Sequence, residues 1–110
     1  MNAPVRLLVA DDDPVMRMLL GAIARGDAGL ELVAEAGDAD EAIALAAEHR
    51  PDVVLLDIEM PGGGGLRAAR EIRALLPSAR ILGLSAHSDD AARQDMAAAG
   101  HHAPLARLGG

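Results

Sequence analysis

The chain has 110 residues, of which 17 are acidic, 10 are basic and none is cysteine, so its formal net charge is −7. The length suits a single domain, the acidic balance argues against direct binding to nucleic acid, and the absence of thiols excludes disulfides, thiol catalysis and cysteine-ligated metals. No apolar run approaches the about 18 residues of a membrane span, and the N-terminus lacks the features of a signal peptide. We therefore expect one cytoplasmic domain over residues 1–110, with no membrane contact and no output domain.

The first predicted strand lies in the apolar run VRLLVA, residues 5–10, and three consecutive aspartates follow it. Asp13 followed by Pro14 is typical of a helix N-cap with proline at the first helical position. The next apolar residues are spaced i, i+3, i+4, i+7, which predicts one helical face made of Met16, Leu19, Leu20 and Ile23. We interpret the methionines at positions 16, 18 and 96 as packing residues.

Two more strands and two more helices follow with clear patterns. The run LELVAEA, residues 30–36, alternates as a half-buried strand does, and Asp38 with Glu41 resembles a capping box at the start of a second helix. DVVLLD, residues 52–57, is a continuous apolar strand bounded by aspartates. After the loop MPGGGG, a third helix is predicted to turn four residues inward, namely Leu66, Ala69, Ile72 and Leu76.

The C-terminal part of the chain has a less regular pattern. RILGLS, residues 80–85, predicts a fourth strand, and Ser88 can cap an alanine-rich fourth helix that ends at Gly100. The tail HHAPLARLGG should hold a fifth strand, but it is a poor match to one, since proline cannot donate to a sheet ladder.

The alternation of apolar strands with helices predicts an α/β fold, in which a doubly wound parallel sheet is covered on both faces to give three layers. In such sheets the functional crevice lies at the carboxyl ends of the strands. Asp11 to Asp13, Asp57 and Ser85 all fall at those ends, so we expect them to converge.

The converging carboxylates favour a cation site. Several carboxylates in one cleft repel one another unless a cation is present, and a donor set of oxygens alone suits Mg²⁺ best. One aspartate beside Mg²⁺ is typical of a phosphoryl acceptor, and Ser85 could donate a hydrogen bond to a phosphoryl oxygen. Taken alone, Asp11, Asp12 and Asp13 would favour an exposed turn with a helix cap over a metal site, and it is their combination with Asp57 and Ser85 that reverses this preference.

Three motifs at these separations, VRLLVADDDPVMR, PDVVLLDIEMPGGGGL and ILGLSAH, resemble the receiver domain of two-component response regulators over residues 5–107. The resemblance implies a flavodoxin-like fold in which Asp57 accepts a phosphoryl group from a histidine kinase or phosphotransfer protein. It implies that Asp11 and Asp12 are the acidic pair that binds Mg²⁺, or alternatively Mn²⁺.

The same resemblance assigns three further roles. The main-chain carbonyl of Glu59 would complete the metal shell together with Asp57, and Ser85 takes the place of the switch Ser/Thr. Phosphorylation would change the preference for a downstream protein partner. The domain would be no enzyme in the usual sense, since it would catalyse at most its own phosphorylation and dephosphorylation.

The chain departs from the family pattern near its C-terminus. Pro104 stands at the position of an aromatic residue, Arg107 stands at the position of the family's lysine, and the fifth helix is missing. Arginine is a planar fork rather than a compact ammonium, so this exchange is not conservative. These departures leave two alternatives, a non-phosphorylated pseudo-receiver that serves as an interaction or dimerisation module, and a truncated product of a longer protein. The uncovered sheet face predicts a homodimer.

A haloacid-dehalogenase-like phosphatase is a more distant alternative. The spacing Asp11-x-Asp13-x-Val15 matches the nucleophile motif of those enzymes, with Asp11 as nucleophile and Asp13 as general acid/base. Such enzymes need a larger core and a later motif with lysine, whereas this chain contains no lysine.

Overall fold

The computed structural model describes residues 3–84, in which four β-strands alternate with three α-helices. The strands are β1 (Val5–Ala10), β2 (Leu30–Ala36), β3 (Val53–Asp57) and β4 (Arg80–Leu84). The helices are α1 (Pro14–Arg25), α2 (Ala39–His49) and α3 (Gly64–Leu75), and a short 3-10 turn, Pro61–Gly63, precedes α3. The predicted fourth helix, which contains Met96, and the predicted fifth strand lie outside the described residues.

The four strands form one parallel sheet in the order β2-β1-β3-β4. After β1 the chain moves to one side to form β2 and then crosses back to form β3 on the other side of β1. The direction of winding therefore reverses between β1 and β3, which is the topological switch point of a doubly wound sheet. The predicted fold class, a doubly wound parallel α/β sheet of the flavodoxin-like type, is confirmed.

The sheet face covered by α2 and α3 holds most of the core. Alternate strand residues, among them Leu8, Val54 and Ile81, point to this face and are fully buried. The two helices add small residues, which are mostly alanines, together with Ile72. The inward orientation predicted for α3 is therefore largely confirmed, since Ala69, Ile72 and Leu76 are buried and Leu66 is half-buried.

The opposite face carries α1, and it buries far less. Only Leu7, Val9 and Ala24 are fully buried there among the described residues. Helix α1 approaches β2 closely through Gly21, where an added Cβ would lie 3.1 Å from Glu35 Oε1 and 3.4 Å from Leu32 Cδ2. Small residues on the inner side of α1 permit this approach.

The prediction that Met16 and Met18 pack in the core is wrong. The side chains at these positions are 36% and 65% exposed, and Leu19 and Ile23 are also more than half exposed. Only Leu20 of the predicted apolar face packs against the core. The spacing correctly identified an apolar side of α1, but this side faces outward. The opposite side, with Gly21 and Ala24, packs against the sheet.

Two of the predicted helix caps are present. Asp13 Oδ1 accepts hydrogen bonds from Val15 N at 2.9 Å and Met16 N at 3.5 Å, so Asp13 begins α1. Asp38 Oδ1 accepts from Glu41 N at 2.8 Å, and Glu41 Oε1 accepts from the N–H of the preceding glycine at 3.1 Å. Local side chains therefore satisfy N–H groups that would otherwise lack partners at the helix starts.

Candidate functional site

Three carboxylates meet where β1 and β3 end side by side. Asp11 and Asp12 follow β1 directly, and Asp57 is the last residue of β3. Ala10 pairs with Leu56 in the sheet, so the two acidic positions lie at the same height. One carboxylate oxygen from each of the three aspartates lies within 4.8 Å of the others. The site therefore occupies the crevice at the switch point of the sheet.

The backbone around Asp11 is held from two directions. This residue is only 3% exposed, and its Oδ1 accepts a hydrogen bond from Asp13 N at 2.9 Å. Arg17 Nη1 donates to the main-chain oxygen of Asp11 at 2.6 Å, and Asp11 N donates to Ala36 O at 3.0 Å. These contacts fix the segment that carries Asp11 and Asp12, while Asp12 itself is exposed at the mouth of the site.

Asp57 is positioned by the loop that follows it. Its Oδ1 accepts a hydrogen bond from Glu59 N at 2.8 Å, and Ile58 N donates to Leu84 O at 3.1 Å. The start of α3 packs tightly against the same loop. A Cβ added at Gly65 would lie 2.5 Å from both Asp57 O and Ile58 Cα, so only glycine fits there.

The electrostatics of the site act mainly on Asp57. Burial raises the pKa of this carboxyl from 3.8 to about 7, although the hydrogen bond from Glu59 N opposes the shift. A side-chain hydrogen bond with Asp12 and the negative charges of Asp11 and Asp12 contribute smaller parts of the same rise in pKa. Without a cation, Asp57 is therefore partly protonated near neutral pH.

The donor set fits a hard divalent cation. All three side chains offer carboxylate oxygens, which Mg²⁺ and Mn²⁺ prefer, whereas no cysteine is available for a softer metal. A cation bound by Asp11, Asp12 and Asp57 would offset their mutual repulsion and favour the ionised form of Asp57. An ionised aspartate beside such a cation is suited to accept a phosphoryl group.

The structure places the other predicted residues as follows. Asp13 lies beside the site, but its carboxylate caps α1. Glu59 contributes its N–H to Asp57, and the metal-binding role of its carbonyl oxygen stays a prediction. Ser85 and Arg107 lie outside the described residues, so their roles also stay predictions.

Two residues with clear contacts in the site did not emerge from the sequence. Arg17 lies one turn into α1, and this position in the sequence could have predicted its hydrogen bond back to Asp11 O. The signal for Gly65 was a glycine at the start of a helix, where packing rather than turn geometry requires it. Both residues help to position the segments that carry the acidic residues.

A doubly wound sheet with an acidic crevice at its switch point defines the class of flavodoxin-like domains with an acidic site at the strand ends. Within this class, residues 7–106 match the family model for the response regulator receiver domain. The match covers most of the chain, so the protein belongs to the response regulator receiver domain family and is a signalling domain of two-component systems. Receiver domains generally bind Mg²⁺ through an acidic pocket of this kind.

The similar curated proteins are longer than this chain. It is 46% identical over 86 residues to a protein-glutamate methylesterase/protein-glutamine glutaminase of Haloarcula marismortui, covering 78% of this chain and 23% of that protein. It is also 46% identical over 69 residues to the transcriptional regulatory protein PdtaR of Mycobacterium tuberculosis, covering 63% and 33%. The chain thus spans about a quarter to a third of the length of these relatives.

The solved structures agree with the family assignment. A LuxR-family two-component response regulator from Aurantimonas sp. SI85-9A1 superposes with a TM-score of 0.84 at 34% identity, covering 94% of this chain and 75% of that one. The response regulator domain of Thermotoga maritima CheB gives a TM-score of 0.83 at 30% identity, covering 93% and 78%. Within residues 3–84, no helix is long and apolar enough to cross a membrane.

Proposed function

We propose that this receiver domain accepts a phosphoryl group on Asp57 in a Mg²⁺-dependent reaction and thereby changes its protein partners. The donor would be the phosphohistidine of a histidine kinase or phosphotransfer protein. The observation that carries the proposal is the meeting of three carboxylate oxygens within 4.8 Å at the switch point of the sheet. One of these groups, Asp57, is also held by a backbone N–H and lies at the end of a central strand.

The chemistry assigned to Asp57 is an in-line displacement at phosphorus. An oxygen of the ionised carboxylate forms the new bond to phosphorus while the bond from phosphorus to the donor imidazole nitrogen breaks. The imidazole keeps the electron pair of that bond and takes up a proton from water. The hydrogen bond from Glu59 N occupies Oδ1 and holds the carboxylate in one orientation. Mg²⁺, when bound, would supply positive charge against the negative charge of the phosphoryl group.

The remaining site residues complete the proposal. Asp11, Asp12 and Asp57 would bind the cation, with Mn²⁺ as an alternative ion, and the carbonyl oxygen of Glu59 would add a further ligand. Ser85 and Arg107 would contact the phosphoryl oxygens after transfer, and Arg107 would replace the family's lysine. Arg17 keeps the acidic segment in place through its bond to Asp11 O.

The proposal is tested by intact-mass spectrometry after incubation with acetyl phosphate and Mg²⁺. We expect one added phosphoryl group on the wild-type chain and none on Asp57→Asn or in the presence of EDTA. Asp52→Asn is the matched control, because Asp52 precedes β3 whereas Asp57 ends it, so the same substitution is made away from the site. This variant should be phosphorylated normally. The absence of any adduct on folded wild-type protein would contradict the proposal.

A non-phosphorylated pseudo-receiver is the second candidate. It is favoured by Pro104 and Arg107, which replace an aromatic residue and a lysine in the family pattern. Such a domain would bind its partners through its surface alone, without a phosphoryl switch. The mass measurement separates the two candidates, since only the first predicts an adduct that Asp57→Asn removes.

The partners and setting of the domain are also proposed. A CheX–CheY–BeF₃–Mg²⁺ complex from Borrelia burgdorferi, similar at a TM-score of 0.83 and 26% identity, shows a related protein bound to another protein. By analogy we propose a downstream protein partner for this chain, together with self-association as a homodimer, and neither nucleic acid nor membrane as a direct partner. A cytoplasmic setting and a non-enzymatic role as phosphoacceptor complete this function. The methylesterase activity named for the longer relatives is not assigned to this chain.

A further inference from the structure

A cavity opens at the amino ends of β3 and β4, on the edge of the sheet opposite the acidic site. Its volume is about 280 Å³, and it is lined by Arg50, Pro51 and Asp52 between α2 and β3 and by residues 76–79 between α3 and β4. Small-molecule sites combine apolar walls with a few polar groups, and they usually have volumes of about 300–1,000 Å³. This cavity has such a lining and lies near the lower end of that range, so it suits a small ligand.

The backbone of Arg50 is unusual. This residue ends α2 in a left-handed conformation, at φ 49° and ψ 62°, and its N–H donates to Ala46 O at 2.8 Å. It is the only residue other than glycine with a positive φ within residues 3–84. Glycine is favoured at such helix ends, because a Cβ is unfavourable in the left-handed region. The sequence therefore keeps a long cationic side chain where glycine would be more stable.

The charges around the cavity are mainly positive. The guanidinium group of Arg50 makes no hydrogen bond or ion pair with any part of the chain that the structure describes. Arg6 lies beside it, since Arg6 Nη1 donates to Arg50 O at 3.1 Å. Asp52 is the acidic group among the lining residues, and its carboxylate already accepts a hydrogen bond from Arg6 N at 2.9 Å. Two guanidinium groups thus stand against one carboxylate, although the whole chain has a net charge of −7.

A further guanidinium group lies at the wall formed by Pro77. Arg73 Nη1 donates to Pro77 O, whereas Arg73 Nε and Nη2 are buried without a hydrogen-bond partner among the described residues. Buried polar groups of this kind are rare in folded proteins. No ion pair within residues 3–84 compensates the charge of Arg73, so it adds to the positive charge around the cavity.

We propose that this cavity is a binding site for a small organic anion. The carboxylate or phosphate group of the ligand would bind Arg50, because the planar guanidinium group donates two parallel hydrogen bonds to either anion. The hydroxyl of Ser78 would add a donor, and the apolar part of the ligand would pack against Leu76 and Pro77. This site is separate from the acidic site, and its occupancy does not depend on phosphorylation of Asp57.

Heteronuclear NMR of the full chain tests the site with three probes, namely benzoate, phenyl phosphate and the uncharged benzamide. We expect both anions to shift the amide signals of Arg50, Asp52 and Ser78, and the tighter of the two identifies the preferred anionic group. Benzamide should bind at least about tenfold more weakly, because it lacks the charge that strengthens the hydrogen bonds to Arg50.

Substitutions at two arginines sharpen the test. Arg50→Gln should weaken the binding of both anions at least about tenfold. Arg80→Gln is the matched control, because Arg80 is also exposed at the amino edge but does not line the cavity, and it should bind as the wild type does. Arg50→Gly should lose binding and yet raise the melting temperature, since glycine relieves the left-handed backbone. A purely structural role of Arg50 predicts a fall in melting temperature instead.

Three results would overturn the proposal. The first is the absence of shifts at these amides with either anion up to about 10 mM, which includes dissociation constants in the millimolar range. The second is equal binding of benzamide and the two anions. The third is an equal loss of binding in Arg50→Gln and Arg80→Gln, which would indicate only a general effect of charge. Asp57→Asn should bind both anions normally, so this test is independent of the phosphorylation assay.

Discussion

The two faces of the sheet are built very differently. Among residues 3–84, 15 buried residues form one continuous core on the face of α2 and α3, whereas three are buried on the face of α1. Most of the largest fully buried side chains belong to the first face. Helix α1 instead directs small residues to the sheet and its larger apolar residues to the surface. Within residues 3–84, the α2–α3 face therefore holds most of the buried apolar core, while the α1 face leaves large apolar side chains exposed.

The largest expected effect is a loss of core volume on the α2–α3 face. Ile72 is fully buried, so Ile72→Ala should lower the free energy of unfolding by about 2–5 kcal/mol. Ile23→Ala makes the same change on α1, where the side chain is 61% exposed, and should cost no more than about 0.5 kcal/mol. Urea unfolding followed by circular dichroism measures both, since the chain has no Trp or Tyr to fluoresce. Equal costs at the two positions would remove the contrast between the faces.

The next effect concerns the contact of α3 with the acidic loop. Gly65→Ala places a Cβ 2.5 Å from the backbone of Asp57 and Ile58, so it should cost about 1–3 kcal/mol and slow the phosphorylation of Asp57. Gly26→Ala is the control at the end of α1, since an added Cβ there makes only ordinary contacts at 3.5 Å. Mass spectrometry over time and urea unfolding measure the two consequences. Normal phosphorylation in a stable Gly65→Ala variant would contradict the positioning role.

A smaller effect is expected from the helix caps, which the two faces share. Asp13 caps α1 and Asp38 caps α2, so replacing either with Ala should cost about 1 kcal/mol. Asparagine retains the accepting oxygen and should recover most of the loss at each position. Similar costs for the two caps would show that the faces differ in packing rather than in how their helices begin. A loss only at Asp38 would indicate that α1 adds little to folding.

The smallest effect is a pH dependence from Asp57. Its pKa is raised from 3.8 to about 7 in the folded protein, chiefly by burial, so protonation favours the folded state. The stabilisation is complete below pH 3.8 and is lost as the pH rises through 7. Without metal, the melting temperature should fall between pH 5 and pH 8, corresponding to less than about 1 kcal/mol once solvent screening is included.

Two further measurements, one with Mg²⁺ and one on a variant, test whether Asp57 is the group responsible for this pH dependence. Mg²⁺ should raise the melting temperature most at the higher pH, because it binds the ionised carboxylates. Asp57→Asn should flatten the pH profile, because an amide does not titrate in this range. An unchanged profile in Asp57→Asn would assign the dependence to another group.

Much of the fold was readable from the sequence because its signals are local. The strands β1, β3 and β4 are short apolar runs in the sequence, and Asp13 and Asp38 are N-cap residues that predict where α1 and α2 begin. The convergence of Asp11, Asp12 and Asp57 followed from topology, since the carboxyl ends of parallel strands meet at one edge.

What the sequence could not decide depends on contacts between distant segments. One side of α1 can face the sheet because Gly21 allows a close approach to Leu32. The spacing of apolar residues in the sequence does not predict this approach. The bond from Arg17 to Asp11 O needs the path of the helix in space. The requirement for Gly65 comes from backbone on a neighbouring element rather than from its own conformation.

The position of the acidic site between β1 and β3 has a consequence for the motions of the sheet. The two strands pair from Leu7–Val53 to Ala10–Leu56, and the carboxylates continue this central seam beyond its last pair. An ion bound there would join the two halves of the sheet at their shared edge, and opening the seam would require its release. Occupancy of the site should therefore slow amide hydrogen exchange along β1 and β3 more than along the outer strand β2.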